Sequence, residues 1–87
     1  MIYTVVWKPF AERALTEIWL AANDKGPVRD SADAIDRALR NAPFQIGESR
    51  EDSIRVAIVA PLAVRYEVND ADKMVSVFAV WRTGKTS

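Results

Sequence analysis

The chain contains no histidine and no cysteine among its 87 residues. Without cysteine it can form neither disulfide bonds nor thiolate metal sites, and without histidine it lacks the commonest metal ligand and general base. We therefore expect no cofactor and no metal ion. Glycine is also scarce, with three in all, and Gly26 and Gly47 stand alone, so no glycine-rich phosphate loop is present.

An excess of charge of one sign is lacking as well, because twelve Lys and Arg balance twelve Asp and Glu. A dedicated nucleic-acid-binding protein is usually basic, so this balance counts against that class unless positive charge is focused locally. The first residues have no basic start and no apolar run of signal-peptide length, and no later segment approaches a membrane span. We expect a cytoplasmic protein that does not bind membranes.

The length predicts a single domain over residues 1–87. Ile2 to Trp7 is rich in β-branched and aromatic residues, which predicts a strand. Apolar residues then recur at helical spacing from Ala11 to Ala22 and from Val28 to Ala42, which predicts two helices. Residues 43–52 are predicted to be a polar connection.

Three further strands are predicted from alternating patterns: Ser53 to Ala60, Leu62 to Asn69 and Met74 to Arg82. The order β-α-α-β-β-β indicates an α+β fold, with two helices packed on one face of a twisted, mainly antiparallel four-stranded sheet. The first strand must pair with one of the later three, because a lone strand leaves its backbone groups unsatisfied.

Arginine residues supply the candidate site. Arg55, Arg65 and Arg82 lie in the last three predicted strands, and the alternation along each strand predicts that all three point away from the helices. Arg50 precedes them in the predicted connection. Arginine is charged at any working pH and makes bidentate contacts to carboxylate or phosphate, so we predict an anion-binding face.

Simpler roles compete with this interpretation. The arginines could serve solubility alone, with Arg65 in a surface ion pair with Glu67 or Glu51 worth less than about 1 kcal/mol. Arg50 could fasten its loop through carboxylate contacts. Glu48 could act as a base, although a role in anchoring the loop is the simpler account.

The aromatic residues are predicted to serve mainly the core. Tyr66 falls on the core side of its strand, where we expect a hydrogen-bonded phenol. Trp19 is expected to pack beneath the sheet. Trp7 and Trp81 lie at strand ends, where they could plug the core or belong to an apolar patch covered by a partner or a second copy.

Taken together, these segments resemble the RelE/ParE superfamily of type II toxins, often described as plasmid stabilisation proteins. The similarity covers nearly the whole chain and is carried by Tyr3-x-Val5-x-Trp7-x-Pro9-x-Ala11, Leu15-x-x-Ile18-Trp19, Pro43-x-x-x-Gly47-Glu48-Ser49-Arg50, Pro61-Leu62, Arg65-Tyr66-Glu67-Val68 and Val75-x-Val77-x-x-Val80-x-Arg82. The resemblance implies a small cytoplasmic toxin whose partner is an antitoxin encoded beside it.

Some members of the superfamily cut messenger RNA on the ribosome with basic residues of the sheet and a proton donor near the C-terminus. For this chain the resemblance implies an endoribonuclease that acts on ribosome-bound mRNA. Its catalytic residues would be Arg50, Arg55, Arg65 and Arg82.

Two positions depart from the pattern of the RNA-cleaving members. Arg65 directly precedes Tyr66, whereas the family's catalytic arginine more often lies near the position of Ala63. No tyrosine or histidine follows Arg82 to protonate a leaving group. The alternative is a non-enzymatic binding module of the same superfamily, either a DNA gyrase inhibitor or an inactive toxin-like protein. A homodimer is a further expectation that the sequence leaves open.

Overall fold

The computed structural model describes residues 2–51 and 53–83, apart from the side chains of Arg50 and Glu51. The elements are β1 (Thr4–Trp7), α1 (Pro9–Ala21), α2 (Lys25–Asn41), α3 (Pro43–Ile46), β2 (Glu48–Glu51), β3 (Ile54–Val59), β4 (Leu62–Asn69) and β5 (Met74–Arg82). The predicted α+β class is confirmed. Over these residues the sheet has five strands instead of four, because the predicted polar connection forms α3 and β2.

The ends of the first two helices follow from their local sequence. Pro9 begins α1, where its fixed φ suits the first turn and its missing N–H costs nothing. The Asp24 carboxylate caps α2 by accepting a hydrogen bond from the Gly26 N–H at 3.1 Å. Lys25 stabilises the C-terminal end of α1, because its ammonium donates hydrogen bonds to the carbonyls of Trp19 and Ala22 at 2.9 and 3.1 Å.

The strand order in the sheet is β1-β5-β4-β3-β2. β1 runs parallel to β5, with Thr4 opposite Met74 and Trp7 opposite Val77, while the remaining neighbours are antiparallel. A parallel pair needs a long connection, and here the chain between the two strands contains the helices and the antiparallel strands β2, β3 and β4. The prediction that the first strand pairs with one of the later three is confirmed.

The core lies between the helices and one face of the sheet. Ile35 and Leu39 of α2 are fully buried, as the helical spacing predicts, and they join a cluster that contains Val64 and Val77 of the sheet. Ser31 is buried in the same layer and donates a hydrogen bond to the Val59 carbonyl. This bond satisfies the hydroxyl that α2 brings into the core.

The sequence predicted that Trp19 packs beneath the sheet, and this prediction is wrong. Its side chain is 40% exposed, and the Lys25 ammonium lies 4.8 Å from the centroid of its ring. Ala11 is the fully buried residue of α1, and Leu15 and Ile18 are partly buried against the core. The buried stripe of α1 is therefore narrower than the apolar pattern predicts, and Trp19 lies at its margin.

A β-bulge interrupts β5 at Phe78. Arg65 lies opposite Ala79 and Tyr66 lies opposite Val77, so Phe78 has no partner in β4. An extra residue shifts the alternation of side chains along the strand. Val80 therefore joins the buried core with Val77, whereas an unbroken alternation from Val75 and Val77 would place Ala79 and Trp81 on the helix side.

None of the helices in the described ranges combines the length and the apolar character that a membrane crossing requires.

Candidate functional site

The arginines predicted to share one face lie on different sides of the sheet. Arg55 lies opposite Tyr66, which is buried beneath the helices, so Arg55 is on the helix side. Arg65 is the neighbour of Tyr66 along β4 and therefore points to the side without helices. Arg82 lies opposite the buried Leu62 and is on the helix side, at the far end of β5. The prediction of a common face is wrong.

Two physical causes explain this error. β3 is apolar on both sides, so alternation alone cannot choose its buried side: Ala57 is 1% exposed, whereas Ile58 is 63% exposed. The bulge at Phe78 then moves Arg82 to the other face of β5. Nothing in the sequence marks that bulge.

Arg50 and Glu48 lie in β2 instead of a loop. Glu48 is opposite Val56, which places it on the side of the sheet without helices. The side chains of Arg50 and Glu51 lie outside the described residues. The predicted roles of Arg50 in phosphate binding and of Glu51 in an ion pair are therefore left as predictions.

Arg55 fastens α3 to the sheet. Its Nη2 donates hydrogen bonds to the carbonyls of Phe44 and Gly47, at 2.9 and 2.6 Å, and the guanidinium lies 5.6 Å from the centroid of the Phe44 ring. Its Nε is buried and has no hydrogen-bond partner among the described residues. Because Nη2 is bonded to the backbone and Nε is buried, Arg55 is poorly placed to bind an anion.

Tyr66 completes this anchor. Its hydroxyl donates to the Pro43 carbonyl at 2.7 Å, and its side chain is fully buried, which confirms the predicted core phenol. Burial raises the pKa of Tyr66, and the neighbouring Arg55 offsets part of that rise. Gly47 fits against this pair because a Cβ there would lie 2.4 Å from the Tyr66 hydroxyl. Sequence reasoning missed the network, although the isolated glycine was a signal.

Arg65 is exposed and makes no hydrogen bond or ion pair with the described residues. Its predicted partner Glu67 instead accepts a hydrogen bond from the Ser53 hydroxyl at 2.9 Å. Arg65 is thus a charged group that is available to a ligand.

The side of the sheet around Arg65 is largely apolar, and we call it the open face. Its members follow from the strand register: Thr4, Val6, Glu48, Ile54, Val56, Ile58, Ala63, Arg65, Glu67, Asn69, Met74, Ser76, Ala79 and Trp81. Ile58, Met74 and Trp81 are 63%, 39% and 40% exposed. Exposed Trp, Met and Arg together are typical of a protein-binding surface.

A second concave surface lies between α1 and α2. This groove has a volume of about 830 Å³ and is lined by Trp7, Pro9, Glu12, Arg13, Leu15, Thr16, Ala32, Asp33, Asp36, Arg37 and Arg40. The indole N–H of Trp7 donates to Asp36 at 3.1 Å, and Asp36 also pairs with Arg40. Its three acidic and three basic side chains give the groove no preference for either sign of charge.

A cluster of shifted pKa values near the turn between β4 and β5 has a structural cause. The Tyr3 hydroxyl and the Lys73 ammonium both donate to Asp70, at 2.5 and 3.1 Å. These hydrogen bonds lower the pKa of Asp70 and raise the pKa values of Tyr3 and Lys73. The cluster joins the start of the chain to the turn. Within the described ranges, no group of acidic side chains is placed to hold a metal ion.

Known proteins resemble this chain in structure, and no protein-family model or curated protein matches it at the level of sequence. The toxin–antitoxin complex RelBE2 from Mycobacterium tuberculosis matches with a TM-score of 0.72 and 20% identity, over 94% of this chain and 99% of that chain. The chromosomal ParDE system from P. aeruginosa matches with a TM-score of 0.69 and 13% identity, over 95% and 98%.

The isolated RelE toxin of E. coli matches with a TM-score of 0.64 and 17% identity, over 98% of this chain and 88% of that chain. At such identities the similarity establishes the fold. The chain has the helix-covered α+β fold of these structures. This is the fold that the resemblance to the RelE/ParE superfamily predicted.

Proposed function

We propose that this protein is the toxin of a type II toxin–antitoxin pair and that its partner is an antitoxin protein. The observation that carries the proposal is the match with the isolated RelE toxin over 98% of this chain. Chains from the RelBE2 and ParDE systems match over 99% and 98% of their own length, which supports an antitoxin as partner.

The open face is the proposed surface for the cellular target, and that target is a protein. Truncation of buried Trp and Arg side chains usually costs the most in protein interfaces, and here Arg65 and Trp81 belong to one apolar face. Arg65 lies opposite Ala79 and Trp81 lies opposite Ala63, so the two large side chains are separated by the small side chains of alanines. DNA gyrase, the target of one branch of the superfamily, is the protein to test first.

RNA cleavage is the second candidate. It would need cations around one phosphate and groups that move two protons. Arg55 is committed to α3, and Arg65 and Arg82 lie on opposite sides of the sheet, which supports binding more strongly than catalysis. The observation in favour of RNA is that the open face combines the exposed Trp81 with Arg65, which has no partner among the described residues, since RNA bases stack on aromatic side chains.

Toxicity is the first test. Expression of the chain alone should arrest growth, and Arg65→Ala should relieve the arrest. Arg29→Ala is the matched control, because Arg29 is an exposed arginine of α2 far in sequence from the open face. Healthy growth during expression of the stable wild-type protein would reject the toxin proposal.

Two assays on the purified toxin distinguish a protein target from an RNA target. Inhibition of DNA supercoiling by gyrase with mRNA left intact supports the protein target, whereas cuts in ribosome-bound mRNA that Arg65→Ala abolishes support the nuclease. Salt dependence gives an independent measure. Each lost phosphate contact to single-stranded RNA should flatten the plot of log affinity against log salt by about 0.7.

A further inference from the structure

Two residues of the open face are buried although no helix lies over them. Ala63 is 0% exposed and Val56 is 9% exposed, yet neither belongs to the cluster that forms the core between the sheet and the helices. A buried residue outside the core has to be covered by other side chains on its own face. The open face therefore carries a small packed cluster of its own.

The strand register identifies the side chains that cover these two residues. Ala63 lies between Trp81 of β5 and Ile58 of β3, and Arg65 follows it on the same face of β4. Val56 lies opposite Arg65. Long side chains cover apolar surface with their stems, so Trp81, Ile58 and the stem of Arg65 bury the two smaller residues. We call these five residues the satellite cluster.

The satellite cluster holds Trp81 in a fixed position. The indole is 40% exposed, so one part of the ring packs on the cluster and another part faces solvent. It also borders a groove beside α1, which places it at the margin of the open face. An aromatic side chain that is ordered before binding loses little conformational entropy when a partner arrives. Trp81 is therefore a preorganised surface on which a ring can stack.

Arg65 supplies a charge beside this surface. Its guanidinium is exposed and makes no hydrogen bond or ion pair with the described residues. Lys25, Arg55 and Lys73 lie 4.8–5.6 Å from the centroids of aromatic rings, but Arg65 makes no such contact with Trp81. The guanidinium is thus available to an anionic group that arrives next to the indole.

The acidic residues of the open face lie away from Trp81. Glu67 follows Arg65 along β4 on the side opposite to Ala63, and Glu48 lies in β2, beyond Val56. A polyanion that crossed the face would meet both carboxylates, whereas a single carboxylate beside Trp81 would meet Arg65. These charges favour a protein segment over RNA.

We propose that the satellite cluster binds an aromatic side chain of the target protein that stands next to a carboxylate in the target's sequence. The ring stacks on the exposed part of Trp81 with an offset, at a distance of about 4.5–7 Å between ring centroids, and the carboxylate accepts hydrogen bonds from Arg65. Ala63 is a positioning residue, because its small side chain sets how closely the indole approaches the sheet. The proposal deepens the proposed function, and it rests on that function only in taking the partner to be the cellular target.

The probe is the blocked dipeptide acetyl-Asp-Phe-amide, added to the full chain at up to tens of millimolar and at a low, fixed protein concentration. Binding should shift the indole N–H resonance of Trp81 and leave those of Trp7 and Trp19 unchanged, because both lie outside the open face. An unshifted Trp81 resonance at the highest concentration overturns the proposal.

Two matched peptides divide the contact into its parts. Acetyl-Asn-Phe-amide lacks the carboxylate and acetyl-Asp-Leu-amide lacks the ring. Each should bind about twofold to tenfold more weakly than the probe, the effect of one hydrogen bond or of one aromatic pair. Equal affinities for all three peptides would contradict the proposal.

Two variants assign these preferences to residues. Arg65→Ala should bind the Asp-Phe and Asn-Phe peptides equally, and a preference that persists would reject the contact with Arg65. Ala63→Leu should displace the indole and weaken the probe about twofold to tenfold, the cost of ordering one loosened side chain. Ala71→Leu makes the same change in an exposed turn and should have no effect. Equal binding by the two leucine variants would reject the role of Ala63. If Ala63→Leu proves unfolded, Arg65→Ala decides alone.

Further outcomes separate this surface from its alternatives. Adenosine 5′-monophosphate is the RNA probe, and a shift of Trp81 at lower concentrations than acetyl-Asp-Phe-amide requires would overturn the assignment to a protein. A chain that arrests no growth but binds the dipeptide at Trp81 rejects the toxin role and keeps the satellite cluster as a binding site. A chain that arrests growth but leaves Trp81 unshifted rejects the binding site alone.

Discussion

The guanidinium of Arg55 donates to two main-chain carbonyls at the end of α3, those of Phe44 and Gly47. Carbonyls at the end of a helix have no intrahelical partner, and a charged donor satisfies them more strongly than a neutral one. A side chain that the strand pattern predicts to be a ligand-binding group therefore acts as a fastener between α3 and the sheet.

Arg55→Ala should lower the free energy of unfolding by about 1.5–3 kcal/mol, the usual contribution of hydrogen bonds to a charged group. Arg65→Ala is the control, because Arg65 is exposed and unpaired among the described residues, and it should change stability by less than about 0.5 kcal/mol. Urea denaturation measures both. If both variants lost the same free energy of unfolding, the contacts of Arg55 would not stabilise the fold more than those of an exposed arginine.

Tyr66 predicts how stability changes at alkaline pH. Burial raises its pKa in the folded protein, whereas the unfolded chain has the ordinary tyrosine value of about 10. The folded state holds the hydroxyl proton more tightly, so this contribution is complete below about pH 10 and is lost as the pH rises through the folded pKa. Unfolding in urea at stepwise pH should show the decline in wild type and a flatter curve in Tyr66→Phe. An identical decline in both would assign it to other groups.

At the scale of elements, the contact between α3 and the sheet depends on Gly47. A Cβ at this position would lie 2.8 Å from the Val56 carbonyl as well as against the Tyr66 hydroxyl, so backbone has to move to admit it. The φ of Gly47 is −116°, a conformation that any residue adopts. Its requirement is therefore one of space and not of backbone conformation.

Gly47→Ala should destabilise the protein by about 1–3 kcal/mol, as overpacking does. Gly26→Ala is the matched control, because its Cβ would meet only the Asp24 side chain, at 3.3 Å, and alanine favours a helix. We expect that variant to be neutral or slightly stabilised. Thermal unfolding of the pair checks the difference, and a harmless Gly47→Ala would contradict the close packing described above.

The helices and strands of this fold could be predicted from the sequence wherever the apolar residues followed a clear helical or alternating spacing. The apolar spacing from Val28 to Ala42 predicted α2, and that from Ala11 to Ala22 predicted α1. β2 could not be predicted, because Glu48–Glu51 is polar throughout and becomes a strand only by pairing with β3. Tertiary pairing overrides a weak local preference in such a segment.

The candidate site was less predictable than the fold, because a face depends on the phase of every strand. The phase of β4 was correct, as the buried Tyr66 shows. The phase of β3 was ambiguous, since Ile58 and Val59 are both apolar, and that of β5 changed at Phe78. A single inserted residue is enough to move an arginine to the other side of a sheet.

At the scale of the whole molecule, a neutral net charge is combined with an apolar open face. Twelve basic and twelve acidic residues leave little repulsion between copies near neutral pH. The exposed Ile58 on the open face adds an attractive surface. The free protein should therefore associate at high concentration through this face.

Ile58→Lys should reduce that association. Leu20→Lys is the control, since it adds the same charge at a residue of α1 that is 64% exposed, close to the 63% of Ile58. We expect sedimentation velocity to show less association for Ile58→Lys than for Leu20→Lys, with little change in stability. Equal effects would mean that charge alone, and not the open face, governs association.

The parallel pairing of β1 with β5 joins the first and last strands of the described residues. During synthesis β1 leaves the ribosome early and has no partner until β5 has been made. Distant pairings of this kind close slowly, because the intervening chain must first be ordered. The sheet is therefore complete only after β5 has been made, so a product truncated before Met74 lacks the finished surface on which the proposed toxicity depends.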